Sequence, residues 1–174
     1  MASEPIGLFD SGIGGLSIMK EIRRLLPEED LIYLADSKYC PYGEKTSEEI
    51  IERSISITKF LISKGVKLIV VACNTASIAA LQILRDNFDL PFVGVEPAVK
   101  QAALHTKDKK VGVLATELTL TGERFSSLVE KFAGGLNVTN QPCPGLVEKV
   151  EAGEIAGNET EALVKEYIKP LKAN

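Results

Sequence analysis

Apolar residues along the chain gather in short, almost unbroken runs, separated by longer stretches with helical spacing. Residues 6–9, 31–35, 68–72, 92–95 and 111–115 are near-continuously apolar, as strands covered on both faces are, and 136–139 is a weaker sixth run. Between them, helix-period stretches are predicted over 16–26, 47–64, 75–88, 97–105, 121–132 and 160–168. The first ends at Pro27. The second begins after Thr46, with Glu49 placed for a capping box, and stops at Gly65. Strands alternating with helices through short loops predict an α/β fold made of two doubly wound units with mainly parallel sheets. The first unit is expected over 1–97 and the second over 98–174, and the polar segment 106–110 reads as a plausible join between α/β units.

Charge and composition remove several classes of function. The net charge is −4 with acids and bases intermixed, so the chain lacks the basic block that nucleic-acid binding usually needs. No apolar run approaches the length of a membrane span, and the first residues do not follow the plan of a signal peptide, which leads to the expectation of a cytoplasmic protein. The three cysteines, Cys40, Cys73 and Cys143, are odd in number and do not suggest a disulfide framework. There is no Cys-x-x-Cys and the one histidine, His105, stands alone, so no metal is expected. No cofactor motif is present either.

In doubly wound folds the reactive groups collect in the turns after the strands, and three such turns stand out. The first, Phe9-Asp10-Ser11-Gly12-Ile13-Gly14-Gly15, puts three glycines before a helix, a geometry suited to an anion. Its glycine spacing is that of neither the dinucleotide fingerprint nor the P-loop. The anion is a phosphate or a carboxylate; Asp10 disfavours a highly charged phosphate and suits a substrate ammonium or a neighbouring acid–base group. The second turn carries Pro41, Tyr42 and Gly43 on a long connection, where a shaped wall with backbone N–H groups for a carboxylate is expected, and Cys40 reads as a bystander thiol. The third, Ala72-Cys73-Asn74-Thr75, places Cys73 at a strand end and a helix start. The positive end of the helix is expected to lower its pKa, and Asn74 and Thr75 are candidate donors to a carboxylate. A thiol working as a base at the α-carbon of an amino acid fits this set. An acyl nucleophile fits less well, since it would want a histidine nearby.

These motifs resemble those of the glutamate racemase family: Phe9-Asp10-Ser11-Gly12-Ile13-Gly14-Gly15, Ala35-Asp36-Ser37 with Pro41-Tyr42-Gly43, Ala72-Cys73-Asn74-Thr75-Ala76-Ser77, then Gly94-Val95-Glu96-Pro97-Ala98 and Val113-Leu114-Ala115-Thr116, in order over essentially the whole chain. The resemblance implies racemisation of glutamate without a cofactor by two thiols on opposite faces of the α-carbon. It implies Cys73 as one base, Asp10 as the acid–base group beside it, and Ser11, Pro41, Tyr42, Gly43, Asn74, Thr75, Thr116 and Thr119 as the residues holding the amino acid. Glu151 matches a carboxylate that the family places near the second thiol, and Cys143 matches a position that reads as structural. A supply of D-glutamate for peptidoglycan is implied as well.

The family's second cysteine lies in a Gly-Cys-Thr-His segment, which this sequence does not contain. The second unit and the return to the first are therefore expected to be cut short, and these residues alone are expected to be inactive. Strand edges and apolar surface left open are expected to favour dimerisation, as a homodimer, or aggregation. The competing expectations are an aspartate or hydantoin racemase of the same superfamily, a non-catalytic amino-acid-binding fragment, and a phosphate- or nucleotide-binding domain, the last leaving Cys73 without a role.

Overall fold

The computed structural model describes residues 4–173 and divides into two compact units, Met1–Glu96 and Pro97–Asn174. Among the described residues no helix is long and apolar enough to cross a membrane.

The first unit is built on four parallel strands, β1 (Ile6–Asp10), β2 (Leu31–Ala35), β3 (Leu68–Val71) and β4 (Phe92–Gly94), in the order β2-β1-β3-β4. Strand β1 is buried along its whole length, which is why its sequence is apolar without alternation. Successive side chains still point to opposite faces. Ile6 and Leu8, with Val70 of β3, meet Ile18, Met19 and Ile22 of helix α1 (Leu16–Leu25) on one face. On the other face, Gly7 lies so close to Leu61 and Val66 that a Cβ there would stand 3.3 and 3.1 Å from them. Those residues belong to the end of helix α2 (Ser47–Ser63) and the turn after it, and helix α3 (Asn74–Asn87) packs beside α2. Ile50, Leu61, Ile69, Leu81 and Leu84 are completely buried between these layers, each contributing about 1.5–3 kcal/mol.

The capping box at the start of α2 is present: Thr46 Oγ1 accepts the Glu49 N–H at 3.2 Å and Glu49 Oε2 accepts the Thr46 N–H at 2.9 Å. Gly65, in the left-handed region at φ +74°, follows the helix. The parallel register aligns Asp10 with Ala35, Phe9 with Val71, and Val71 with Gly94. The carboxyl ends of all four strands thus share one edge, and the three turns singled out by sequence lie along it.

The second unit pairs β5 (Lys110–Ala115) in parallel with β6 (Asn137–Pro142) and, among the described residues, carries five helices: α4 (Val99–His105), α5 (Glu117–Thr121), α6 (Glu123–Ala133), α7 (Leu146–Glu151) and α8 (Asn158–Ala173). Several sequence expectations change here. The helix expected over 121–132 is α6, which starts only at Glu123 because Gly122 adopts extended backbone (φ −69°, ψ 139°), and α5 before it was not anticipated. Helix α7 was not anticipated; it starts after Gly145, which is left-handed at φ +84°. The helix expected over 160–168 begins earlier and continues through Pro170 to Ala173. Pro170 forfeits one backbone hydrogen bond, yet the next residue, Leu171, lies against Gly112 of β5, where a Cβ would come within 2.8 Å of it. Segment 106–110, read as a join between units, lies inside the second unit, between α4 and β5.

Candidate active site

The first turn is held rigid by Asp10. Its Oδ2 accepts the Gly15 N–H at 2.7 Å, and the Tyr33 hydroxyl donates to the Gly12 carbonyl at 2.7 Å. Gly15 is enclosed on three sides: a Cβ would fall 2.8 Å from Asp10 Cβ, 2.8 Å from Tyr33 Oη and 3.0 Å from Ala72 Cβ. Amides at the start of α1 are engaged within the turn itself. Gly15 gives its amide to Asp10, and Leu16 and Ser17 give theirs to the carbonyls of Ile13 and Gly14. The turn serves to fix a buried carboxylate.

In the second turn, the Asp36 N–H donates to the Asp10 carbonyl at 2.9 Å, extending the β1–β2 ladder by one bond. Two 3-10 turns follow, Ser37–Tyr39 and Tyr42–Glu44, with a cis peptide between Cys40 and Pro41. Tyr42 is fully buried, and its hydroxyl donates to Asp36 Oδ2 at 2.7 Å. Arg53 of α2 grips the same carboxylate with two donors, Nε at 2.9 Å and Nη2 at 2.7 Å. Burial of Asp36 opposes its ionisation, but the hydrogen bonds from Arg53 and Tyr42 outweigh it and hold the carboxyl below its usual range. Burial first, then the bond to Asp36, push the Tyr42 phenol well above its ordinary value.

In the third turn the strand stops at Val71, two residues before Cys73, which is the N-cap of α3. Its Sγ accepts the Ala76 N–H at 3.4 Å, and the thiol donates to Ser11 Oγ at 3.7 Å. Asn74 is exposed at the first helical position, whereas Thr75 is buried. Ser77 ties α3 to the sheet, donating to the Val71 carbonyl at 3.0 Å and accepting the Val95 N–H at 3.2 Å.

The acidity expected of Cys73 is reversed. Burial, and after it the charge of Asp10, push the thiol up to about 11, against the Ala76 N–H and the hydroxyl and N–H of Ser11, which pull it down. A helix N-terminus is worth about 0.3–1 kcal/mol to a surface charge, less than the loss of water around a sulfur that is 6% exposed. The resting group is a neutral thiol that becomes a strong base once ionised.

The first unit thus brings Asp10, Ser11, Tyr42 and Cys73 to one strand edge, with Pro41 and Gly43 flanking Tyr42 and Asn74 and Thr75 following Cys73. In the second unit Thr116 caps α5: its Oγ1 accepts the Thr119 N–H at 3.3 Å and its hydroxyl donates to Thr119 Oγ1 at 2.9 Å. Glu151 is the last residue of α7. Cys143 follows β6, its thiol donating to the Gln141 carbonyl at 3.3 Å, and burial pushes it up. Among the described residues no three His, Cys, Asp or Glu side chains are grouped as a metal would need. The Asp36–Arg53 pair beside these turns is not among the residues expected from the sequence. The available signal was an arginine three residues after Ile50 and four before Ile57, on the buried stripe of α2.

The chain is similar to known proteins. The family described as Asp/Glu/Hydantoin racemase matches residues 6–174. A glutamate racemase of Herpetosiphon aurantiacus is 52% identical over 171 residues, 98% of this chain and 67% of its own length. One of Ectopseudomonas mendocina is 52% identical over 170 residues, 97% of this chain and 65% of its own. Among solved structures, the Escherichia coli glutamate racemase in complex with L-glutamate and the activator UDP-MurNAc-ala superposes with a TM-score of 0.87 at 39% identity, over 97% of this chain and 64% of that one. The Francisella tularensis glutamate racemase in complex with D-glutamate does so with a TM-score of 0.82 at 34% identity, over 97% and 64%. The chain therefore spans about two thirds of the length of the relatives it matches.

Proposed function

The chain belongs to the Asp/Glu/Hydantoin racemase family, and on that footing we propose that the protein is a glutamate racemase, interconverting L- and D-glutamate without a cofactor. The observation that carries this reading is the sulfur of Cys73 on the strand edge, bonded to Ser11 and electrostatically coupled to Asp10. Asp10 takes the thiol proton. The thiolate then takes the α-hydrogen of the bound amino acid as a proton, and the C–H electron pair passes into the adjoining carboxylate. A second thiol returns a proton to the opposite face. The roles exchange for the other enantiomer.

The raised thiol has a purpose in this scheme. A weakly acidic thiol gives a more basic thiolate, and the substrate ammonium arriving beside Asp10 and Cys73 favours ionisation when it is needed. Ser11, Pro41, Tyr42, Gly43, Asn74 and Thr75 hold the amino acid. D-Glutamate made in this way supplies peptidoglycan, in the cytoplasm, from a homodimer.

An assay of both enantiomers of glutamate and aspartate with the protein of full family length tests this reading. Interconversion of glutamate in preference to aspartate supports it; binding of glutamate without interconversion would favour a non-catalytic module. The 174 residues alone are expected to racemise negligibly, since losing one member of an acid–base pair costs about 10²–10⁴-fold.

A further inference from the structure

Tyr42, Asp36 and Arg53 form a chain of dependence that the proton transfer does not itself require. Tyr42 is the bulkiest fully buried side chain among the described residues, and a buried hydroxyl needs a partner. Its partner is the Asp36 carboxylate, itself only 6% exposed. A buried carboxylate needs a cation, and Arg53 supplies one from a different element, 17 residues further on, through a two-pronged bond. The Arg53 guanidinium in turn sits over the ring of Tyr39, 4.0 Å from its centre. The backbone of Asp36 is meanwhile tied to the Asp10 carbonyl, so one residue joins the Asp10 turn to the Tyr42 turn.

We propose that Arg53 and Asp36 are positioning residues for the site. Arg53 fixes the Asp36 carboxylate, Asp36 fixes the Tyr42 hydroxyl, and the fixed Tyr42 sets the 41–43 wall beside Cys73. That this wall receives glutamate rests on the function proposed above. That it lies beside Cys73 does not: helix α3, which Cys73 caps, packs against the 42–44 turn, and the charge of Cys73 acts on Tyr42. Lysine cannot replace Arg53 in this role. It keeps the charge but has neither the planar fork that meets both carboxylate oxygens nor a flat face to lie on Tyr39.

Arg53→Lys, Tyr42→Phe and the double variant of this chain test the proposal with two readouts. The first is the alkylation rate of Cys73 by iodoacetamide, followed on the Cys73 peptide from neutral pH to about 11. Asp10, Ser11 and Tyr42 are the groups facing the sulfur, and the first two are unchanged in every variant. The second is the dissociation constant for glutamate by NMR titration. With Arg53→Lys the wall loosens, so water reaches the sulfur: alkylation at neutral pH rises about tenfold, its pH midpoint falls, and glutamate binds about tenfold more weakly. Tyr42→Phe acts in the same direction, and the double variant is no worse than Arg53→Lys because the groups act as a unit. Should Arg53→Lys fail to fold, Tyr42→Phe, which keeps the buried ring, decides the matter by the same readouts. A variant that melts at lower temperature yet alkylates and binds as the parent does would overturn the proposal, since a purely structural role predicts that result. A parent chain that binds no glutamate would instead count against the proposed function, and the alkylation profile would still judge the role of Arg53.

Discussion

Cys73 Sγ lies 3.7 Å from Ser11 Oγ, joining two turns that are 62 residues apart in the chain. The neutral thiol donates to the hydroxyl; after ionisation the hydroxyl turns and donates to the sulfur. The contact thus favours the thiolate, one of the few local influences that do so.

Ser11→Ala removes that donor, and the midpoint of Cys73 alkylation is expected to rise further. A hydrogen bond to a charged group is worth about 1.5–3 kcal/mol, so the alkylation rate at neutral pH falls about tenfold or more. A rate equal to that of the parent would mean that the hydroxyl does not serve the thiolate.

Asp10→Asn acts with the opposite sign. The Asp10 charge is, after burial, the largest influence raising the thiol, so its removal lowers the midpoint and speeds alkylation near neutrality. Under the proposed function the same change weakens glutamate binding, because the ammonium loses its counter-charge. Faster alkylation together with weaker binding separates this variant from simple loosening of the fold only when its melting temperature is measured alongside.

The raised thiol also sets a pH dependence of stability. The folded state holds the Cys73 proton up to about 11, whereas the ordinary value is 9.0. Between these values the folded chain binds more protons than the unfolded one, so this stabilisation is complete below 9.0 and is lost as pH rises through the folded value. Denaturant unfolding is expected to show stability falling by about 2–3 kcal/mol across that window from this group. Cys73→Ala should flatten that part of the profile, and identical slopes in parent and variant would contradict the assignment.

Gly15→Ala tests the close approach at the first turn. Its Cβ would collide with Asp10, Tyr33 and Ala72, and overpacking of this kind costs about 1–3 kcal/mol. A lower melting temperature with altered Cys73 alkylation is expected, the second because Asp10 is displaced. Gly65→Ala meets open space but forces a left-handed φ of +74°; it should lower stability without touching alkylation.

What could be read from the sequence follows from range. The strands of the first unit are legible because burial on both faces leaves long apolar runs, as in Ile6–Asp10, and the capping box at Thr46 is legible because its partners are three residues apart. Cys73 could be placed at the mouth of α3 for the same local reason. The direction of its acidity could not, because burial and the Asp10 charge come from the folded surroundings, not from the helix that follows it. Arg53 and Asp36 were hidden by their 17-residue separation. Gly122 shows another limit: a glycine inside a helical pattern is commonly tolerated, and only the structure reveals it as the break between α5 and α6.

The account turns on the sulfur of Cys73 working as a base at the α-carbon of glutamate. The most direct measurement is L- to D-glutamate interconversion by Cys73→Ser in the protein of full family length, with retained folding verified by circular dichroism. A loss of about 10²-fold or more is predicted, because serine is far too weak an acid to supply the base. Turnover within a few-fold of the parent would contradict the account.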